Sequence, residues 1–110
     1  MSVEKELINC GLYGERLSNG EIAWHSDAIP GLMQLALEHR WIVLGGDVLT
    51  LSKEYTYDNW FYEPHHQCSL LQNVQESIQS CEEFINKYIA ANGPNYIFVV
   101  VFSDSFLDGK

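Results

Sequence analysis

The chain has 110 residues, 46% of them hydrophobic and 13% aromatic, which is enough for a single domain over residues 1–110 and excludes a disordered or low-complexity protein. Fifteen Asp and Glu against six Lys and Arg give a net charge of −9, which argues against nucleic acid, phosphate or anionic lipid as a direct partner and suits a basic protein. No apolar run approaches the ~20 residues that span a bilayer, the charged start MSVEKELINC lacks the apolar region of a secretory signal, and Cys10, Cys68 and Cys81 are too few and too scattered for a disulfide framework; a soluble cytoplasmic protein is expected.

In chain order, residues 2–9 read as a short helix with Ser2 as cap and Val3, Leu7 and Ile8 on one face. Asn19-Gly20 signals a turn, so residues 21–24 read as a short strand or as loop. Ser26 and Asp27 stand ahead of Pro30, which is tolerated in a first turn, and Ile29, Leu32, Met33, Ala36 and Leu37 then recur at helical spacing. Residues 41–44 contain the β-branched pair Ile42-Val43 and are read as a strand, after which Gly45-Gly46 supplies a tight turn or, failing that, a helix cap.

Residues 48–57 alternate, with Leu49, Leu51, Tyr55 and Tyr57 on one side and Thr50, Ser52, Glu54 and Thr56 on the other, as expected of a half-buried strand. Asp58-Asn59 then tolerates a turn that returns the chain as a second strand over residues 60–63, which Pro64 stops. Residues 69–91 are the clearest helix: Leu71, Val74, Ile78, Cys81, Ile85 and Tyr88 form a stripe widened by Leu70, Phe84 and Ile89, and Asn92-Gly93-Pro94 ends it. The run YIFVVVF at residues 96–102 is a central strand apolar on both faces. The expected fold is α+β: a small single-domain sandwich of about four largely antiparallel strands against two main helices, plus the short N-terminal helix.

Catalytic chemistry finds little support. His65, His66 and Cys68 form the densest set of nucleophiles and ligands, but adjacent histidines seldom share one metal and no C-x-x-C pair is present, so neither metal nor cofactor is expected. Cys81 lies on the apolar stripe, where a small hydrophobe is the simpler reading than a reactive thiol. Gly45-Gly46-Asp47 has a counterpart in the active-site turn of cyclic-dinucleotide cyclases, but here Val48-Leu49 follows where those enzymes carry an acid and then Phe. A small metal- or thiol-dependent enzyme using His65, His66 and Cys68, or an intracellular adaptor, is the competing reading.

A binding surface is better supported. Residues 54–110 hold eight acids and two bases, a net of −6, against seven acids and four bases, a net of −3, over residues 1–53. Aromatics edged with carboxylates suit a protein interface, because rings give rigid contact area while acids steer a basic partner. The expected partner-binding residues are Asp47, Glu54, Tyr57, Asp58, Trp60, Tyr62 and Glu63, with Tyr55, Tyr57 and Phe61 also candidates for the core.

The order of an apolar helix, LGGDV at residues 44–48, YDNWFYEP at residues 57–64, a long helix and an apolar final strand resembles the immunity protein 40 family of polymorphic toxin and contact-dependent growth inhibition systems. The resemblance covers roughly residues 28–102. It implies a non-catalytic bacterial protein of the cytoplasm that binds the C-terminal toxin domain of a secreted effector and blocks it. Many such toxins are basic nucleases, which agrees with the acidic charge. The resemblance supplies no contact residues of its own.

Overall fold

The structure, a computed structural model, describes residue 12 and residues 14–103; the helix expected over residues 2–9 lies outside the described residues. In chain order the elements are β1 (Gly14–Arg16), β2 (Ile22–His25), a 3-10 turn (Ser26–Ala28), α1 (Ile29–His39), β3 (Ile42–Thr50), β4 (Tyr55–Phe61), α2 (Leu70–Asn92) and β5 (Tyr96–Ser103). The strands form one antiparallel sheet in the order β1-β2-β5-β3-β4. The fold class is therefore α+β as expected, with five strands among the described residues and β1 as the strand the sequence did not announce. No helix among the described residues is long and apolar enough to cross a membrane.

Both helices pack on one face of the sheet. In α1, Pro30 sits in the first turn, where its missing N–H leaves no hydrogen bond unmade, and Ile29, Leu32, Met33 and Ala36 are buried. The 3-10 turn leads into α1, whose N-cap Ala28 makes no side-chain cap bond. Arg40 closes α1 in the left-handed region at φ 60°, its N–H donating to the carbonyls of Ala36 and Leu37. In α2, Ser69 Oγ accepts the Gln72 N–H at 3.1 Å, and Gly93 at φ 93° ends the helix.

The face of α2 that meets the sheet carries Val74, Cys81 and Ile85, as the periodicity predicts, together with two polar residues, Asn73 and Ser77. Leu71 falls off this stripe and is 38% exposed. The main core joins the helices to Trp24, Val43, Val48, Trp60, Phe98 and Val100. Burying each large apolar side chain contributes about 1.5–3 kcal/mol, which is what holds a 23-residue helix with so polar an outer face.

The glycine pair departs from the expectation. Gly45 and Gly46 are not a turn but the middle of β3, between β5 on one side and β4 on the other. A Cβ on Gly45 would strike the Trp60 carbonyl, and one on Gly46 would strike the Val99 carbonyl and approach the Trp60 indole to 2.5 Å. Gly45 also takes φ 146°, at a shift of register between β3 and β5. The residues are glycines so that Trp60 can lie over the strand.

The turn of this hairpin falls instead at residues 51–54, closed by Lys53 N–H to the Thr50 carbonyl at 2.9 Å with Lys53 at φ 71°. Leu51, expected in the core, is 48% exposed on that turn. Asp58-Asn59, expected as a turn, lies inside β4, so the strand expected over residues 48–57 is divided between two strands.

The opposite face of the sheet has its own small cluster, Leu17, Ala23, Leu49, Ile97 and Val99. One corner of that face is closed by the two hairpin loops. Asn19 Nδ2 donates to Glu21 at 2.9 Å and to Tyr55 Oη at 3.3 Å, and Lys53 reaches Glu15 at 3.5 Å. The corner beside β4 is left open.

Candidate functional site: the outer rim of β4

β4 leaves its pairing with β3 at a bulge. Asp47 pairs with Asn59 and Leu49 with Tyr55, so Val48 alone faces Thr56, Tyr57 and Asp58. Thr56 Oγ1 donates to the Val48 carbonyl at 2.9 Å and accepts the Asp58 N–H at 3.1 Å, which holds the bulge shut. Tyr57 sits at its apex at φ 72° and is 89% exposed. A non-glycine residue in this region costs about 1–2 kcal/mol, and here the strain aims an aromatic ring into solvent.

Beyond the bulge the side chains alternate. Asp58, Trp60 and Tyr62 point to the helices, whereas Asn59, Phe61 and Glu63 point outward, and Phe61 is 78% exposed. Trp60 stacks on Phe84 with centroids 4.8 Å apart, and Phe84 in turn stacks on Tyr88, so an aromatic row ties β4 to α2. The Trp60 indole N–H is buried without an acceptor. The Asp58 carboxylate accepts the Tyr88 hydroxyl at 2.8 Å, and burial followed by that bond raises the Tyr88 phenol above its ordinary range.

Tyr62 belongs to a second anchor. Its hydroxyl donates to Asn73 Oδ1 at 2.9 Å or to Glu76 at 3.2 Å. Burial first and then Glu76 push this phenol up to about 12, so it remains a donor at neutral pH. Asn73, 1% exposed, also accepts the His65 N–H at 2.8 Å and donates to the carbonyls of His65 and Ser69 at 2.9 and 3.2 Å. One buried amide thus pins the segment that leads from β4 into α2. Ser77 does the same for β3: its hydroxyl accepts the Val43 N–H at 2.9 Å, next to the register shift, and donates to the Val74 carbonyl.

The residues expected to contact a partner therefore separate. Trp60 is in the core at 8% exposure, and Tyr62 is half-buried against α2. Asp58 is exposed but engaged by Tyr88, while Glu54 lies at the hairpin turn and Glu63 past the end of β4, both exposed. Asp47 is half-buried on the open face opposite Asn59, beside a shallow depression of about 250 Å³ over Gly45 and Gly46 that Leu44 and Val101 border. Tyr57, Phe61, Asp47 and Glu63 thus lie along the outer side of β4, with Asp58 on its inner side against Tyr88. Phe61, Asn59 and Val101 were not among the expected contacts; parity counted outward from a buried Trp60 is the signal that finds Phe61 and Asn59, while Val101 comes from β5.

The competing enzymatic residues have structural surroundings. His65 holds the Asn73 anchor through its backbone and meets the Tyr62 ring edge-on at 5.9 Å. Cys68 is half-buried, and burial pushes the Cys81 thiol up to about 12, which keeps it protonated. Among the described residues, no three His, Cys, Asp or Glu side chains gather as metal ligands.

No curated protein and no solved structure matches the chain. The family described as immunity protein 40 matches it over residues 6–102, nearly the whole chain and both halves of the β3–β4 hairpin. The chain therefore belongs to the immunity protein 40 family, whose role is to neutralise a toxin and is typically non-catalytic.

Proposed function

We propose that this chain acts in the cytoplasm, where it neutralises the C-terminal domain of its cognate toxin, a basic nuclease, by stoichiometric binding through the outer rim of β4. Family membership implies the toxin partner. The observation that carries the surface is the pair Tyr57 and Phe61, 89% and 78% exposed on one short strand. Exposed rings of this size serve no packing purpose, and aromatics at the centre of a rim are what anchor protein interfaces.

The acids support the basic character of the partner. Asp47 and Glu63 lie on the outer side of β4 with the aromatics, Asp58 follows the bulge and Glu54 sits at the hairpin turn, and none of the four is paired with Lys or Arg among the described residues. A nuclease must hold a polyanion on a basic surface, and an acidic rim competes for that surface while speeding encounter. Trp60 and Tyr62 serve the same rim from beneath, by fixing the strand that carries it.

Co-production with the toxin domain encoded immediately upstream tests the reading. The parent chain is expected to restore growth and to co-purify at fixed stoichiometry, with affinity falling as salt rises. Changing both Tyr57 and Phe61 to Ala is expected to weaken the complex by about a hundredfold while leaving the unfolding midpoint nearly unchanged. Growth arrest despite full production of the parent chain would refute toxin neutralisation; an unaltered affinity in the double variant would refute the rim.

A further inference from the structure

We propose that the toxin domain completes the sheet, adding a strand with basic side chains along the outer edge of β4 at residues 59–63. The inference rests on the toxin-binding reading above and specifies how the same rim is used.

The backbone carries it. Tyr62 N–H donates to the Leu44 carbonyl at 2.8 Å, and Gly46 pairs with Trp60 and Gly45 with Phe61. In an antiparallel ladder the bonded pairs alternate, so Trp60 and Tyr62 turn their backbone groups toward β3, while Asn59 and Phe61 turn theirs away from the sheet. Asn59 and Phe61 are both exposed, and among the described residues no strand pairs with β4 on this side. The opposite edge of the sheet, β1, has three residues among the described ones.

An open edge invites pairing, and proteins usually blunt it with Lys, Pro or a bulge. Here the bulge at Tyr57 and Pro64 stand at the two ends, and no Lys or Pro lies between them. What remains is a window about one short strand in length. Phe61 and the depression over Gly45 lie on its open face, placed to receive alternate side chains of an added strand.

The charges choose the occupant. Asp58 and Glu63 bracket the window and Asp47 stands beside it, none paired with Lys or Arg among the described residues. A strand with Lys or Arg toward its ends fits that frame. A second copy of this chain, itself at net −9, would set acid against acid along the seam.

The experiment uses the full chain and the catalytically inactivated toxin domain encoded immediately upstream. Asn59→Pro removes the outward N–H without removing a bond to β3, and Asn59→Ala serves as the side-chain control. Asn59→Ala is expected to bind within about threefold of the parent and Asn59→Pro about tenfold or more weaker, with both unfolding near the parent midpoint. Hydrogen exchange on the unaltered chain gives an independent reading: the Asn59 and Phe61 amides are expected to slow in the complex. A complex that forms with those amides exchanging freely overturns strand addition and leaves toxin neutralisation standing. Absence of any complex, together with failure to rescue growth, overturns toxin neutralisation and this inference with it. Slowing of the same amides in the chain alone, in step with a dimer mass, overturns the toxin strand in favour of a second copy.

Discussion

Trp60 and Phe61 are consecutive aromatics of one strand, yet Trp60 is 8% exposed and Phe61 78%. The inner side of β4 is tied at every step: Asp58 to Tyr88, Trp60 to Phe84, Tyr62 to Asn73. The outer side shows Tyr57, Asn59, Phe61 and Glu63 to solvent. Composition cannot distinguish these two sides, because both are aromatic and both carry acid. Parity does, and parity is set by where the hairpin turns.

The contrast is sharpest at Trp60. Trp60→Ala leaves a cavity over Gly46 and breaks the row to Phe84, and is expected to cost about 3–5 kcal/mol in chemical denaturation. Trp60→Phe keeps much of the packing and removes the indole N–H that lacks an acceptor, so its cost should be clearly smaller, at about 1–2 kcal/mol. Phe61→Ala next door should move stability by less than about 0.5 kcal/mol. Equal losses at positions 60 and 61 would erase the distinction between the two sides.

Asn73→Ala is the next largest effect. It leaves the His65 N–H and carbonyl and the Tyr62 hydroxyl without their buried partner, and an unfolding free energy lowered by about 2–3 kcal/mol is expected. Because Asn73 holds the segment after β4, faster hydrogen exchange at residues 62–69 should accompany the loss. Toxin affinity should fall only as far as the outer rim is disordered with it.

The sequence made α1, α2 and β5 legible because each carries its own signal: a helical period opened by Pro30 in α1, one closed by Gly93 in α2, and an unbroken apolar run in β5. It misled at the hairpin for a physical reason. A Gly-Gly pair is the usual chemistry of a tight turn, but here glycine is demanded by close approach of Trp60, while the turn is made by Leu51-Ser52-Lys53-Glu54 with Lys53 in the left-handed region. Moving the turn by several residues changed which aromatics faced inward, so Trp60 and Tyr62 were expected at the surface and Phe61 was weighed for the core. Asn73 and Ser77 stayed hidden because spacing reports where a helix is buried but not which backbone groups need a partner there.

A smaller effect of opposite sign tests whether the strain at Tyr57 is kept for binding. Tyr57→Gly relieves the φ of 72° but adds backbone entropy to the unfolded chain, so the net change should be a gain of about 0–1 kcal/mol. Toxin affinity should nonetheless fall by about tenfold or more as the ring is lost. A variant that loses stability and keeps affinity would make Tyr57 part of the fold rather than of the rim.

The smallest effect lies at the closed corner of the open face, where Tyr55 begins β4 at the end away from Phe61. Glu15 is held below the ordinary carboxylate range first by its 2.7 Å hydrogen bond with His25, with Lys53 adding to the effect and burial opposing it. A depressed carboxylate favours the folded state above its unfolded pKa, and that contribution fades as pH falls through the lower folded value. Glu15→Gln should therefore lower the thermal midpoint at pH 7 by no more than about 5 °C, and the gap between variant and parent should close on acidification below about pH 4. Toxin affinity at pH 7 should not change, because the partners of Glu15 are His25 and Lys53, neither of them a residue of the rim. A loss of affinity in Glu15→Gln would mean that the two corners of the open face act together.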